Sequence, residues 1–187
     1  MHIVAGLFKN RTLKAPKGHN TRPTTSLLRE AVFNMLQNNI EEASFLDLFA
    51  GSGAMGFEAL SRGAKEATFV DSDRNAFLCL KENQKNLDVE DKSSLLKTNV
   101  LKALDNFKPQ SFDIIYADPP YEEEIWAKGE KKWLAARVVE KIIEKNLLRP
   151  DGILLIEESK QTDLEKLGLE KRIYGKTALY IFRNATI

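Results

Sequence analysis

Cysteine, histidine and long apolar runs are scarce in this chain, and each scarcity narrows its chemistry. One cysteine among 187 residues, Cys79, leaves no internal disulfide and no cysteine cluster for zinc. The two histidines, His2 and His19, lack the neighbouring acid or nucleophile pattern of a catalytic imidazole, and no metal site is expected. No apolar run approaches the roughly 18 residues that cross a bilayer, so no membrane partner is expected. The segment Met1-His2-Ile3-Val4-Ala5-Gly6 lacks a basic stretch followed by an apolar one, which argues against a secretory leader and for the cytoplasm. What is present is ordinary for a soluble globular protein. With 43% hydrophobic and 29% charged residues, the chain can build one domain around a real core.

The net charge of +1 conceals an uneven distribution. Within residues 1–40, six basic residues (Lys9, Arg11, Lys14, Lys17, Arg22 and Arg29) face the single acid Glu30, leaving −4 for the remainder. Residues 1–40 are therefore expected to form a basic hairpin and helix packed on the core, with residues 41–187 as the main domain. An arm of this sign suits a polyanion, and Arg11, Lys14 and Arg22 are its candidate contacts to such a partner. A lysine-rich, solvated hairpin is the alternative. Arg29 is assigned a structural ion pair.

Turn residues and periodicity supply the elements. Ile3–Leu7 and Thr12–Ala15, about Lys9-Asn10-Arg11, predict a short N-terminal β-hairpin. Arg22-Pro23-Thr24-Thr25 reads as a helix start with Thr24 or Thr25 as N-cap, and Leu28, Ala31, Val32, Met35 and Leu36 then recur at helical spacing up to Asn38-Asn39. From Phe45 onward the pattern alternates, with strands at 45–49, 66–71, 94–98, 112–117 and 152–158 and helices at 54–62, 74–86, 100–106 and 131–146. That order predicts an α/β fold with a mostly parallel, doubly wound sheet covered on both faces. Leu169–Tyr174 and Ala178–Arg183, separated by Gly175-Lys176-Thr177, add a closing antiparallel hairpin.

The first strand runs directly into Ala50-Gly51-Ser52-Gly53-Ala54-Met55-Gly56, a G-x-G-x-x-G turn between strand and helix. Bare backbone there lets a ligand approach closely, although tight strand–helix turns need glycine in any case. The second strand ends at Asp71, 18 residues after Gly53, where an acid can take both hydroxyls of a ribose. Asp73 competes for that role but is expected in the turn that caps the next helix. Asp47, four residues before Gly51, would repel a pyrophosphate yet could hold a cationic amino group. S-adenosylmethionine carries such an ammonium; a helix or loop cap is the other reading of Asp47. Asp47-x-Phe49-x-Gly51-x-Gly53 also matches what S-adenosylmethionine-dependent methyltransferases carry at this place.

Asp118-Pro119-Pro120-Tyr121 follows the apolar strand Phe112–Ala117, at the carboxyl end where open α/β sheets bind ligands. An exocyclic base amine is a weak nucleophile because its lone pair is delocalised into the ring. Two acceptors that hold its N–H groups and draw the nitrogen towards tetrahedral geometry would activate it. The Asp118 carboxylate and the Pro119 carbonyl can be those acceptors, two prolines stiffen the backbone, and Tyr121 offers a stacking face for an extruded base. A proline-rich turn is the structural alternative. Cytosine C5 chemistry needs a nucleophilic cysteine, and Cys79, mid-helix in Phe77-Leu78-Cys79-Leu80, reads as core. Trp126 and Trp133 flank a charged stretch that reads either as a lid or, for Trp133, as packing on the sheet.

The tetrapeptide resembles the signature of class I amino-group N-methyltransferases: Asp, Asn or Ser, then Pro-Pro, then Tyr, Phe or Trp. A narrower resemblance covers nearly the whole chain. Arg22-Pro23-Thr24, Arg29-Glu30, Phe33-Asn34, the run Leu46 to Gly56 and Glu58-Ala59-Leu60-Ser61-Arg62-Gly63 look like the RsmD family of bacterial 16S ribosomal RNA guanine-N2 methyltransferases. The resemblance implies a Rossmann-like class I fold with a short N-terminal hairpin, S-adenosylmethionine as cofactor, and a monomer acting on small-subunit ribosomal RNA, naked or in the assembled 30S particle. It implies that Asp47, Phe49, Gly51, Gly53 and Asp71 hold the cofactor, that Asn99 and Val100 flank the adenine, and that Asp118 to Tyr121 receive the guanine. Asn99 stands where many of the wider class have Asp, and Glu122-Glu123-Glu124-Ile125-Trp126 is acidic for a mouth facing RNA. Three rivals stay open at this point: an adenine-N6 DNA methyltransferase, a nicotinamide-dependent oxidoreductase, and a non-catalytic RNA-binding factor.

Overall fold

Short apolar runs bounded by turn residues set up a central sheet. In the computed structural model, which describes residues 1–16, 26–127 and 129–185, the strands are β1 Ser44–Leu48, β2 Glu66–Asp71, β3 Ser93–Lys97, β4 Phe112–Ala117, β5 Glu124–Ala127, β6 Glu130–Trp133, β7 Leu148–Ser159, β8 Glu170–Tyr174 and β9 Thr177–Arg183. The helices are α1 Ser26–Met35, α2 Ala54–Ser61, α3 Arg74–Leu87, α4 Val100–Asn106 and α5 Leu134–Glu144. Seven strands form one sheet in the order β3-β2-β1-β4-β7-β9-β8. Pairings from β3 through β7 are parallel, and β9 joins β7 and β8 antiparallel. The strand order reverses between β1 and β4, which opens a crevice at their carboxyl ends.

Period-two side chains divide the core into two layers. Phe45, Phe69, Ile114, Tyr116 and Leu155 face α1, α2, α3 and the arm residues Ile3 and Leu13. Leu46, Leu48, Val70, Ile115, Ala117 and Ile156 face α4 and α5. In the first layer the Phe57 and Phe69 rings lie 4.5 Å apart, and both side chains are fully buried. Phe69→Ala would remove that contact and leave a cavity, at about 3–5 kcal/mol.

Three expectations are corrected. The N-terminal segments Ile3–Leu7 and Thr12–Ala15 do not form strands: the arm doubles back through one antiparallel bridge, His2 to Thr12, with Ile3 N donating to Arg11 O at 3.0 Å. The reason lies in where its donors go. Val4 N and Ala5 N donate to the buried Glu58 carboxylate (2.7 and 3.0 Å), and Leu7 N to Ser61 O, so past Ile3 the arm bonds α2, and its own pairing is limited to residues 1–3 with 10–13. The helix expected over 131–146 begins only at Leu134, because residues 130–133 pair with 124–127 as the β5–β6 hairpin. An ion pair between Glu124 and Lys131 and the packing of Ile125 on the α5 layer hold that hairpin. Finally, α1 ends at Met35, and residues up to Asn39 continue as turns. The helix start at Arg22-Pro23-Thr24-Thr25, the Arg22 contact included, lies outside the described residues.

Candidate active site

The turn after β1 is strained where a ligand would meet it. Phe49 has φ of 60°, an uncommon conformation for a bulky side chain, and such strain concentrates at functional sites. Neighbouring bonds enforce it: Ala50 N donates to Val70 O at 3.1 Å, Gly53 N to Ala50 O at 2.7 Å, and Gly51 N to Asp71 Oδ2 at 2.8 Å. The glycines divide by role. A Cβ at Gly53 would fall 2.5 Å from the Phe57 ring, and one at Gly56 2.3 Å from Phe69, so helix packing excludes side chains there. At Gly51 the nearest atom would be Phe49 O at 4.0 Å, which leaves room for a ligand against the backbone.

Asp47 lies under this turn, 2% exposed, and Gly56 N donates to its Oδ2 at 2.9 Å. Both readings of this residue therefore concern one carboxyl, which braces the first turn of α2 from inside the sheet. Burial pushes its pKa up to about 8; the Gly56 bond opposes the shift and the charge of Asp71 adds to it. At neutral pH roughly one molecule in ten would carry the charge, and an adjacent cation would restore it.

Asp71, at the end of β2, accepts from Gly51 N and, through Oδ1, from Asp73 N at 2.8 Å. Each oxygen keeps a second acceptor position for a hydroxyl. Asp73 instead N-caps α3, accepting from Ala76 N at 2.8 Å, as its place beyond the strand suggested. Asn99, exposed after β3, caps α4 through Leu101 N (3.0 Å) and Lys102 N (3.4 Å), with Val100 buried behind it.

The tetrapeptide occupies the other side of the crevice. Asp118 N donates to Leu48 O at 3.3 Å, which carries the β1–β4 ladder one residue past the end of β4 and sets Asp118 beside the Phe49 turn. Pro119 is buried, Pro120 exposed and Tyr121 half-buried. Tyr121 Oη donates to Glu157 Oε1 at 2.6 Å and lies 3.1 Å from Thr177 Oγ1; Tyr116 Oη donates to Glu157 Oε2 at 2.7 Å. Burial, reinforced by Glu157, holds the Tyr121 phenol above its usual pKa, so it is a neutral donor. Sequence reasoning missed Glu157 and its neighbour Glu158. Their signal was two acids closing the otherwise aliphatic run Ile153-Leu154-Leu155-Ile156.

Asp47, Phe49, Gly51, Gly53, Asp71 and Asp118 to Tyr121 thus gather at the carboxyl ends of β1, β2 and β4, with Asn99 and Val100 following β3 at the same end of the sheet. A surface depression lined by Glu42, Asp113, Arg149 and Asp151 lies at the opposite end and shares none of them. The arm lies along α3. Lys14 pairs with Glu82, its backbone N donates to Asn83 Oδ1 at 2.8 Å, and the Arg11 guanidinium donates to Asn86 O. Both side chains stay at the surface. Arg29 is buried, donating to His2 O at 2.9 Å and lying 3.8 Å from Glu58, the structural role expected of it. Cys79 is buried in α3, and burial raises its thiol pKa. Trp126 is 78% exposed on β5, Trp133 half-buried at the end of β6. Among the described residues no helix is long and apolar enough to cross a membrane.

The family model described as "Conserved hypothetical protein 95" matches residues 1–183. The chain is 35% identical over 190 residues to YlbH of Bacillus subtilis, covering 98% of each. It is 35% identical over 170 residues to ribosomal RNA small subunit methyltransferase D of Haemophilus influenzae, covering 88% of this chain and 81% of that one. The solved structure of Escherichia coli yhhF superposes with a TM-score of 0.83 at 28% identity, covering 100% of this chain and 99% of that one.

Proposed function

The chain belongs to the RsmD family, and we propose that it transfers a methyl group from S-adenosylmethionine to the exocyclic N2 amine of a guanine in small-subunit ribosomal RNA. Its sheet, parallel through five strands and closed by an antiparallel pair, is the Rossmann-like fold of class I methyltransferases. The reading rests on one observation above all: the Asp118 N to Leu48 O bond ties the start of the Asp118–Tyr121 segment to the end of β1, next to the Phe49–Gly51 turn, which supports a shared site for amine and cofactor.

The residues fit that cofactor. Asp71 offers acceptors to ribose hydroxyls, the bare face of Gly51 admits a ligand against the backbone, and Asp47 is a buried carboxyl poised to gain charge beside an ammonium. Asn99 and Val100 suit the adenine edge beyond β3. When bound, S-adenosylmethionine supplies a methyl group activated by its sulfonium. Asp118 accepts one N–H of the target amine and the Pro119 carbonyl the other, which turns the nitrogen lone pair out of conjugation with the ring. Tyr121 supports the base from its face. Orientation carries the rate, with direct in-line transfer to nitrogen and the amine proton lost afterwards to solvent.

Arg11, Lys14 and Arg22 are assigned to phosphate. A single short basic arm suits a preformed RNA–protein surface, so the assembled small subunit is the expected substrate. Titration with S-adenosylhomocysteine and NAD, followed by labelled methyl transfer to protein-free RNA, small subunits and DNA, tests the reading. Binding of NAD in place of S-adenosylhomocysteine would contradict it. Label in DNA alone would favour the adenine-N6 rival.

A further inference from the structure

Two adjacent carboxylates in a core strand are a costly arrangement. Glu157 is 5% exposed and Glu158 1% exposed, behind the buried aliphatics Leu154, Leu155 and Ile156 of β7. Burying carboxylates carries a large desolvation penalty unless donors meet them, and β7 needs no acid for its packing. Successive strand residues point to opposite faces, so Glu157 shares the α2 layer with Leu155 while Glu158 shares the α5 layer with Ile156.

From opposite faces, the two acids grip the same short segment. Glu157 Oε1 accepts the Tyr121 hydroxyl at 2.6 Å, and Thr177, on β9 opposite Ser159, adds a contact at 3.1 Å. Glu158 Oε1 accepts Glu122 N at 3.2 Å and also Ser159 N at 2.6 Å. Glu122 has φ of 56°, a conformation that needs such support. The second oxygen of Glu157 is held by Tyr116, a core residue 1% exposed, which fixes the carboxylate that in turn fixes Tyr121. The order of support runs from Tyr116 in the core, through Glu157, to the last residue of the tetrapeptide.

We propose that Glu157 is a positioning residue for methyl transfer, setting the plane of the Tyr121 ring against which the target base lies, while Glu158 fixes the backbone leaving the tetrapeptide. The inference rests on the function proposed above. Glu157 touches neither base nor cofactor; it acts through Tyr121. Small displacements of positioning groups cost up to about a hundredfold in rate, so the effect belongs in kcat.

The test is a double-mutant cycle on the full chain, using the small-subunit RNA or particle that the wild type methylates. Glu157→Gln keeps the volume but leaves one acceptor for two phenols; Tyr121→Phe keeps the ring and removes the hydroxyl. Each is expected to lower kcat by about tenfold or more, with S-adenosylhomocysteine affinity within twofold of wild type. The double variant is expected to be no slower than the slower single variant. Tyr116→Phe removes the other bond to Glu157 and is expected to lower kcat in the same direction but by less than Glu157→Gln, because the Tyr121 bond to the carboxylate remains. Wild-type kcat in Glu157→Gln, additive losses in the double variant, or losses that follow cofactor affinity would each overturn the inference. If Glu157→Gln does not fold, wild-type kcat in Tyr121→Phe overturns it. A wild-type protein that methylates no base defeats the functional reading itself, and the inference with it.

Discussion

Asp71 Oδ2 accepts the N–H of Gly51 at 2.8 Å, so one carboxylate ties the end of β2 to the turn after β1. The same group is the proposed ribose acceptor, which makes turn geometry and cofactor affinity inseparable at this position. Hydrogen bonds to a charged group are worth about 1.5–3 kcal/mol each. Asp71→Ala should therefore weaken S-adenosylhomocysteine binding by roughly tenfold to a hundredfold by calorimetry. Unchanged affinity would remove Asp71 from the cofactor site.

Asp47 makes the protein's response to pH specific. Below about pH 4 its carboxyl is protonated in both the folded and unfolded chain and adds no pH dependence. Between there and about 8, its folded-state pKa, the unfolded chain gives up the proton while the fold retains it, and stability falls as pH rises. Asp47→Asn should gain stability relative to wild type as pH is raised from 5 to 8, read from denaturant midpoints. With cofactor the sign reverses, because an ammonium beside Asp47 favours the charged form. Wild-type S-adenosylhomocysteine affinity should rise by up to about tenfold per pH unit between 5.5 and 7.5, and Asp47→Asn should flatten that slope. Equal slopes in the two proteins would count against an ammonium at this site.

Much of the fold was legible from the residues. The apolar runs of β1, β2 and β4 carry their own boundaries, and the spacing from the glycine turn to Asp71 located the end of β2. The β5–β6 hairpin was not legible: Glu124-Ile125-Trp126-Ala127 is short, Glu130-Lys131-Lys132-Trp133 is mostly charged, and their pairing depends on the packing of Ile125 against α5. Nor was the fate of the arm, since its donors go to Glu58 and Ser61, more than 50 residues away. At the site, the sequence pointed to Asp118 and Tyr121. The hydroxyl partner of Tyr121 could not be read, because Glu157 comes from a strand 36 residues further along the chain.

The arm docks through a close approach at Gly6. Its φ is 83°, and a Cβ there would fall 1.8 Å from the Ser61 carbonyl oxygen. Gly6→Ala should lift the arm from α2, at about 1–3 kcal/mol. The expected signature is a lower Tm with faster proteolysis within residues 1–16. RNA affinity should fall with it, since Arg11 and Lys14 leave their places, while cofactor affinity holds. RNA affinity at the wild-type level in a variant with a released arm would show that the arm makes no RNA contact.

Asp118 is expected to separate binding from chemistry. Asp118→Ala should bind S-adenosylhomocysteine within a few-fold of wild type and lose about a hundredfold to a thousandfold in kcat, the range for deleting one group that stabilises a transition state. A variant with full turnover would remove the carboxylate from amine activation.

The identity of the methylated nucleoside tests the central claim most directly. Small-subunit RNA from cells lacking this protein, naked and in assembled particles, should be incubated with the protein and labelled S-adenosylmethionine, then digested to nucleosides. The account predicts label in N2-methylguanosine, with none when Asp118→Ala replaces the wild type. Label in N6-methyladenosine or any other nucleoside, or no label in small-subunit RNA, would contradict it.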